Sequence, residues 1–137
     1  MEAVVREAVV RDVGAILALW TAADAEPTHT DDPDGLEILL RFDPGALLVA
    51  EVDGELAGSV IAAWDGWRGS VYRLVVHPDH RRLGLAGQLL RRAEERLERL
   101  GARRLAAVVV ESDSRAIGFW SSTSWTQQAE RARFVRG

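Results

Sequence analysis

The stretch Val71-Tyr-Arg-Leu-Val-Val-His-Pro-Asp-His-Arg-Arg-Leu-Gly-Leu-Ala-Gly-Gln-Leu-Leu90 constrains this chain more than any other part. It reads as a buried strand, a turn rich in Arg and Gly, and an amphipathic helix. Arg81, Gly84 and Ala86 fall in an Arg-x-x-Gly-x-Ala spacing at the helix start. The first amides of a helix have no partner within it, and the aligned peptide dipoles add positive charge there. Small residues at 84, 86 and 87 let a bulky anion reach the backbone. The turn is built to receive a diphosphate.

With 137 residues, the expectation is one domain spanning 1–137. No apolar run nears the roughly 20 residues that span a bilayer, so no membrane role is expected. The first residues lack the basic start and long apolar middle of a secretory signal, and a cytoplasmic location is expected. The absence of cysteine excludes disulfides, thiolate metal sites and cysteine nucleophiles. Three scattered histidines show no ligand spacing, and no metal site is expected.

Charge divides the chain in two. Residues 1–65 carry 14 acids and 3 bases, whereas residues 66–137 carry 7 acids and 14 bases. Every base is Arg, whose planar fork suits phosphate. The asymmetry suggests an anionic ligand on the basic half and a cationic one on the acidic half. The net charge of −4 argues against nucleic acid as a partner.

Val4–Ala8 reads as a first strand. Asp12 is placed to cap a helix burying Val13, Ile16, Leu17 and Trp20. Residues 23–33 are an acidic loop, followed by a short helix over Leu36–Phe42. Asp53-Gly54 between Ala46–Val52 and Glu55–Trp64 is a strong hairpin signal. A second turn, 64–69, feeds the strand Val71–Val76. The next helix carries Leu85, Leu89, Leu90, Ala93, Leu97 and Leu100 on one face and stops at Gly101. Leu105–Val110 reads as a strand covered on both faces. A short helix capped within 112–114 and two terminal strands, near 126–129 and 132–135, complete the order β-α-α-β-β-β-α-β-α-β-β. This is an α+β fold: a mixed, mostly antiparallel central sheet with helices on both faces.

The turn and this order resemble the GNAT superfamily of acetyl-CoA-dependent N-acetyltransferases. The family's Arg/Gln-x-x-Gly-x-Gly/Ala hallmark stands here as Arg81-Arg-Leu-Gly84-Leu-Ala86, after Leu74-Val-Val-His-Pro-Asp79. A second hallmark is matched by Asp113, Ala116, Phe119-Trp120 and Ser124-Trp125. The resemblance implies acetyl-CoA as acyl donor, with no metal. The backbone of Leu74, Val75 and Val76 would pair with the pantetheine arm, where the fourth and fifth strands splay. Amides and side chains of Arg81, Arg82, Leu83, Gly84, Leu85, Ala86 and Gly87 would hold the pyrophosphate. Asp113 and Trp120 would complete the cofactor site. A nucleotide P-loop fails for want of Gly-Lys-Ser/Thr, and a dinucleotide fingerprint fails for want of its three glycines.

By the same resemblance the acceptor is a primary amine of a small molecule or peptide, attacked directly in a ternary complex. An amide of Val75 or Val76 would stabilise the oxyanion. Glu111 is the candidate base, with Tyr72 as the second; a solvated strand end and a packed tyrosine are their plain alternatives. Trp120 stands where the family has a Tyr that protonates the leaving thiolate, and indole is a very poor acid. Asp113 replaces an Asn, and Ser124-Trp125 replaces Gly-Phe. A non-catalytic acyl-CoA-binding or sensing domain is therefore the alternative function. Trp64 and Trp67 are expected to pack, or else to wall an acceptor pocket. The acidic loop is a solvated segment or an attractor of cationic amines through Asp31, Asp32 and Asp34. A homodimer is plausible for such a fold.

Overall fold

The computed structural model describes residues 2–137 as two compact units, the first running to Ala107 and the second being Val108–Gly137. The first unit holds β1 (Ala3–Glu7), α1 (Val13–Ala22), α2 (Pro33–Phe42), β2 (Leu47–Val52), β3 (Glu55–Trp64), β4 (Gly69–Val76), α3 (Leu85–Leu100) and β5 (Leu105–Ala107). The second holds α4 (Ser114–Ser121). The sheet runs β1-β2-β3-β4-β5, antiparallel except for the parallel β4–β5 pair. The α+β class is borne out, and the element order agrees through α4. The two terminal strands do not form: residues 124–137 contain no strand.

Local chemistry explains the boundaries. Asp53 (φ 52°) and Gly54 (φ 80°) both turn left-handed, as a tight two-residue hairpin requires. Asp32 caps α2 by accepting from the Gly35 amide at 2.7 Å, and Pro33 presets its first turn, so α2 starts three residues earlier than expected. Asp65 closes the β3–β4 turn by accepting from the amides of Trp67 and Arg68. Gly101 ends α3 in the left-handed region (φ 112°), with Ala102 N–H on the Leu97 carbonyl and its own N–H on that of Glu98.

The sheet is sandwiched. On one face Ile16, Leu19 and Trp20 of α1 join Leu36 and Leu40 of α2 over Leu47, Val49 and Ile61. Leu19 takes the buried place expected of Leu17, which is half-buried. On the other face α3 lies across β1 to β4 and buries Leu85, Leu89, Leu90, Ala93 and Leu97. Leu100 is exposed instead. Arg96 ties α3 to the Ala62 carbonyl at 2.7 Å and pairs with Asp43.

Asp12 does not cap α1 with its side chain. Its carboxylate takes two bonds from the Arg6 guanidinium, at 2.8 and 2.9 Å, and one from the Val9 amide at 2.8 Å. Arg6 also reaches Glu51. The Arg6 hydrogen bonds outweigh burial and hold the Asp12 carboxyl below the usual carboxylate range. A depressed folded-state pKa stabilises above the unfolded value and loses that stability as pH falls through the folded one. Asp12→Asn should therefore lower unfolding stability by about 2 kcal/mol at neutral pH. Denaturant melts should show the gap from wild type closing below about pH 3.8, as the native carboxyl protonates.

Candidate functional site

The site begins where β4 stops pairing. Its ladder with β5 ends at Val71–Ala107, so among the described residues no strand pairs with Tyr72–Val76 on that side. The expected strand Leu105–Val110 is cut to three residues; Val108 and Val110 are exposed, not sandwiched. On its other side β4 pairs with β3, with Val75 opposite Ser59 and Val76 opposite Gly58. The register slips between these pairs and Tyr72–Ile61, where Arg73 adopts φ 52°. One strand thus carries an extra residue, a bulge that bends it. The His77 amide donates to the Ala57 carbonyl at 2.8 Å. Peptide groups alternate along a strand, so the Val76 amide faces away from β3, toward the unpaired side.

A buried relay fixes the bulge. Trp20 Nε1–H donates to Ser59 Oγ at 2.8 Å, and Ser59 O–H donates to the Arg73 carbonyl at 2.9 Å. Ser59 is fully buried. None of these three residues was marked by the sequence as site-forming.

The chain then turns through His77–Gly84 into α3. His77 Nδ1 accepts from the Asp79 amide at 3.1 Å. Left-handed residues at Arg82 (φ 68°) and Gly84 (φ 75°) swing the backbone so that successive amides share a side. Gly84 gives α3 no side-chain cap, and the first bond back to it comes from Gln88. The amides of Leu85, Ala86 and Gly87 are thus left to an external acceptor. A Cβ at Gly84 or Gly87 would meet nothing within 4 Å, so the corner is open. Arg82 and Leu83 are exposed, Arg81 and Ala86 half-buried, and Leu85 is anchored in the core with Val52 and Ala57. A cleft of about 310 Å³ lined by Glu2, Ala3, Val52, Leu83, Leu85 and Gln88 opens beside this turn. A larger groove, about 660 Å³, lies at the far end of α3 and lacks any open helix start. Trp64 and Trp67 line it; Trp67 is exposed under the Arg68 guanidinium, not packed as expected.

The first unit therefore brings Tyr72, Leu74, Val75 and Val76 onto one strand that runs into the 81–87 turn. Tyr72 is exposed. The acidic loop differs from the expectation of a solvated or substrate-attracting cluster: Asp31 pairs with Arg73 and Asp32 caps α2. The second unit holds Glu111, Asp113 and Trp120. Glu111 is exposed in a turn. Asp113 caps α4 by accepting from the Ala116 amide at 3.0 Å. Trp120 is half-buried, edge-on to Phe119 and to Trp125, whose ring centre is 4.8 Å away. Among the described residues no cluster of His, Asp and Glu could hold a metal ion, and no helix is long and apolar enough to cross a membrane.

The first unit thus joins a central sheet with one parallel pair, a bulged strand and an open helix start beyond it. The profile of the acetyltransferase (GNAT) family matches residues 13–123. An acetyltransferase of Pectobacterium atrosepticum is 38% identical over 114 residues, covering 83% of this chain and 81% of that protein. Ard1 from Thermoplasma volcanium superposes with a TM-score of 0.83 at 16% identity, over 94% of this chain and 86% of that one. PaiA N-acetyltransferase from Thermoplasma acidophilum, solved in complex with coenzyme A, gives 0.73 at 18% identity, over 89% and 88%. The chain belongs to the GNAT family and is an acetyltransferase.

Proposed function

We propose that this protein transfers the acetyl group of acetyl-CoA to a primary amine of a small molecule or peptide, by direct attack in a ternary complex. The observation that carries the reading is the open corner of uncapped amides at Leu85–Gly87, next to the unpaired edge of β4. The turn 81–87 would take the diphosphate of the donor, and the edge Leu74–Val76 would hydrogen-bond its pantetheine amides as an added strand does. The Val76 amide would then face the thioester carbonyl and stabilise the oxyanion. Holding both reactants together supplies proximity, worth several kcal/mol of barrier.

Proton handling would fall to Tyr72 and Glu111. Tyr72 is exposed on the catalytic strand, and Glu111 is a free-standing carboxylate in the second unit. The Trp120 indole can donate a hydrogen bond to sulfur but cannot usefully protonate it, so water would return the proton to the thiolate. We read the two units as one catalytic domain of 1–137, cytoplasmic because its donor is. The edge strand β1 with exposed Val4 supports a homodimer.

A panel of spermidine, neamine and a hexapeptide with a free N-terminal alanine, assayed for thiol release from acetyl-CoA, tests the reading. At least one should be acetylated on nitrogen. Tight coenzyme A binding with no turnover of any panel member would count against these acceptors and for the sensing alternative that Trp120 favours.

A further inference from the structure

Arg73 is the oddest residue of the catalytic strand. It sits at the bulge with φ 52°, a conformation that disfavours a long side chain. The expectation is glycine or asparagine there, so the side chain must contribute something that offsets the strain. Its guanidinium is largely buried, with 17% of the side chain exposed, and spans 42 residues of sequence to reach Asp31. Both Nε and Nη2 donate to that carboxylate, a two-pronged pair. Nη2 also donates to the Glu26 carbonyl at 2.7 Å. The guanidinium carbon stands 5.2 Å from the Trp20 ring centre. Asp31 is equally enclosed, with 13% of its side chain exposed, and accepts from the Thr28 amide at 2.8 Å. One side chain therefore staples the loop between α1 and α2 at two points, residues 26 and 31, to the bend of β4. The other side of that bend is held by the Trp20–Ser59 relay.

We infer that Arg73 is a positioning residue for the acceptor: by clasping Asp31 and the Glu26 carbonyl it sets the loop over the bulged strand before an amine arrives. This rests on the acetyltransferase reading above. It also changes the part played by Asp31, whose carboxylate is consumed within the protein and does not bind the substrate cation. The acceptor is selected by the position of the loop and not by an ion pair with residue 31.

Three variants separate these roles. Arg73→Gln keeps the unfavourable φ and a long side chain but deletes the charged fork. Asp31→Asn keeps shape. The exchange Asp31→Arg with Arg73→Asp restores opposite charges, and aspartate tolerates the left-handed region better than most residues. Steady-state kinetics use whichever panel amine the wild type acetylates fastest. Each single variant should raise the acceptor KM about tenfold with kcat and coenzyme A affinity little changed, and the exchange should recover most of the loss. Hydrogen exchange of the amides of 23–31 in the free protein should quicken about tenfold in both single variants and slow again in the exchange. If Asp31 instead grips the amine, Arg73→Gln frees it and lowers KM for a cationic acceptor, and the exchange places a repelling Arg and stays impaired; either result overturns the clasp. Unaltered exchange and KM in both single variants also overturn it. A wild type that acetylates no panel member overturns the proposed amine acceptor, and the positioning role with it.

Discussion

Gly84→Glu weakens coenzyme A binding by at least about 100-fold while the protein stays folded. Two independent effects act together. The new carboxylate enters the open space above the uncapped amides of α3, where a diphosphate would sit, and it brings like charge to that spot. The left-handed φ of 75° also resists any side chain, at about 1–2 kcal/mol. That strain is too small to unfold a domain of ordinary stability. Calorimetry with coenzyme A, with circular dichroism as the folding control, separates binding from stability. Retained affinity in a folded variant would show that the ligand lies elsewhere.

Leu89→Ala should cost about 3 kcal/mol of unfolding stability. Leu89 is fully buried on the inner face of α3, and its Cδ1 lies 2.8 Å from where a Cβ on Gly58 would stand. Gly58 is thus the hollow that receives Leu89, and this contact seats α3 against the sheet. Gly58→Ala alone should destabilise by overpacking, since its Cβ would also stand 3.0 Å from the Val75 carbonyl. In the double variant the two errors partly cancel, because the methyl at 58 fills some of the larger void left at 89. A thermal or urea cycle reads the coupling. Strict additivity of the two single losses would show that the two sites do not share this space.

Local chemistry was readable in the sequence, and long-range pairing was not. Asp53-Gly54 specified a left-handed pair, and the Glu55–Trp64 strand followed to the residue. The run into Gly84 announced an open helix start because small residues and uncapped amides are local properties. Leu105–Val110 looked like a covered strand since all its residues are apolar, yet only three pair; apolar character says nothing about where a neighbouring strand bends away. The bend itself is invisible, because Arg73 has no propensity for a positive φ. Its partner Asp31 is 42 positions distant, so the acidic loop read as solvated or substrate-facing when one of its charges was already spent. Asp12 misled for a different reason: Asp before a helical run signals a cap, but Arg6, six positions earlier, takes up its carboxylate.

The early end of the β4–β5 ladder bears on how quickly a ligand can dock. A guest that lies along Leu74–Val76 meets peptide groups already facing outward, so no zipper has to be peeled before contact. Capture is then governed by diffusion and by the pull of the arginine-rich half on a polyanion, and entry should slow as added salt damps that pull.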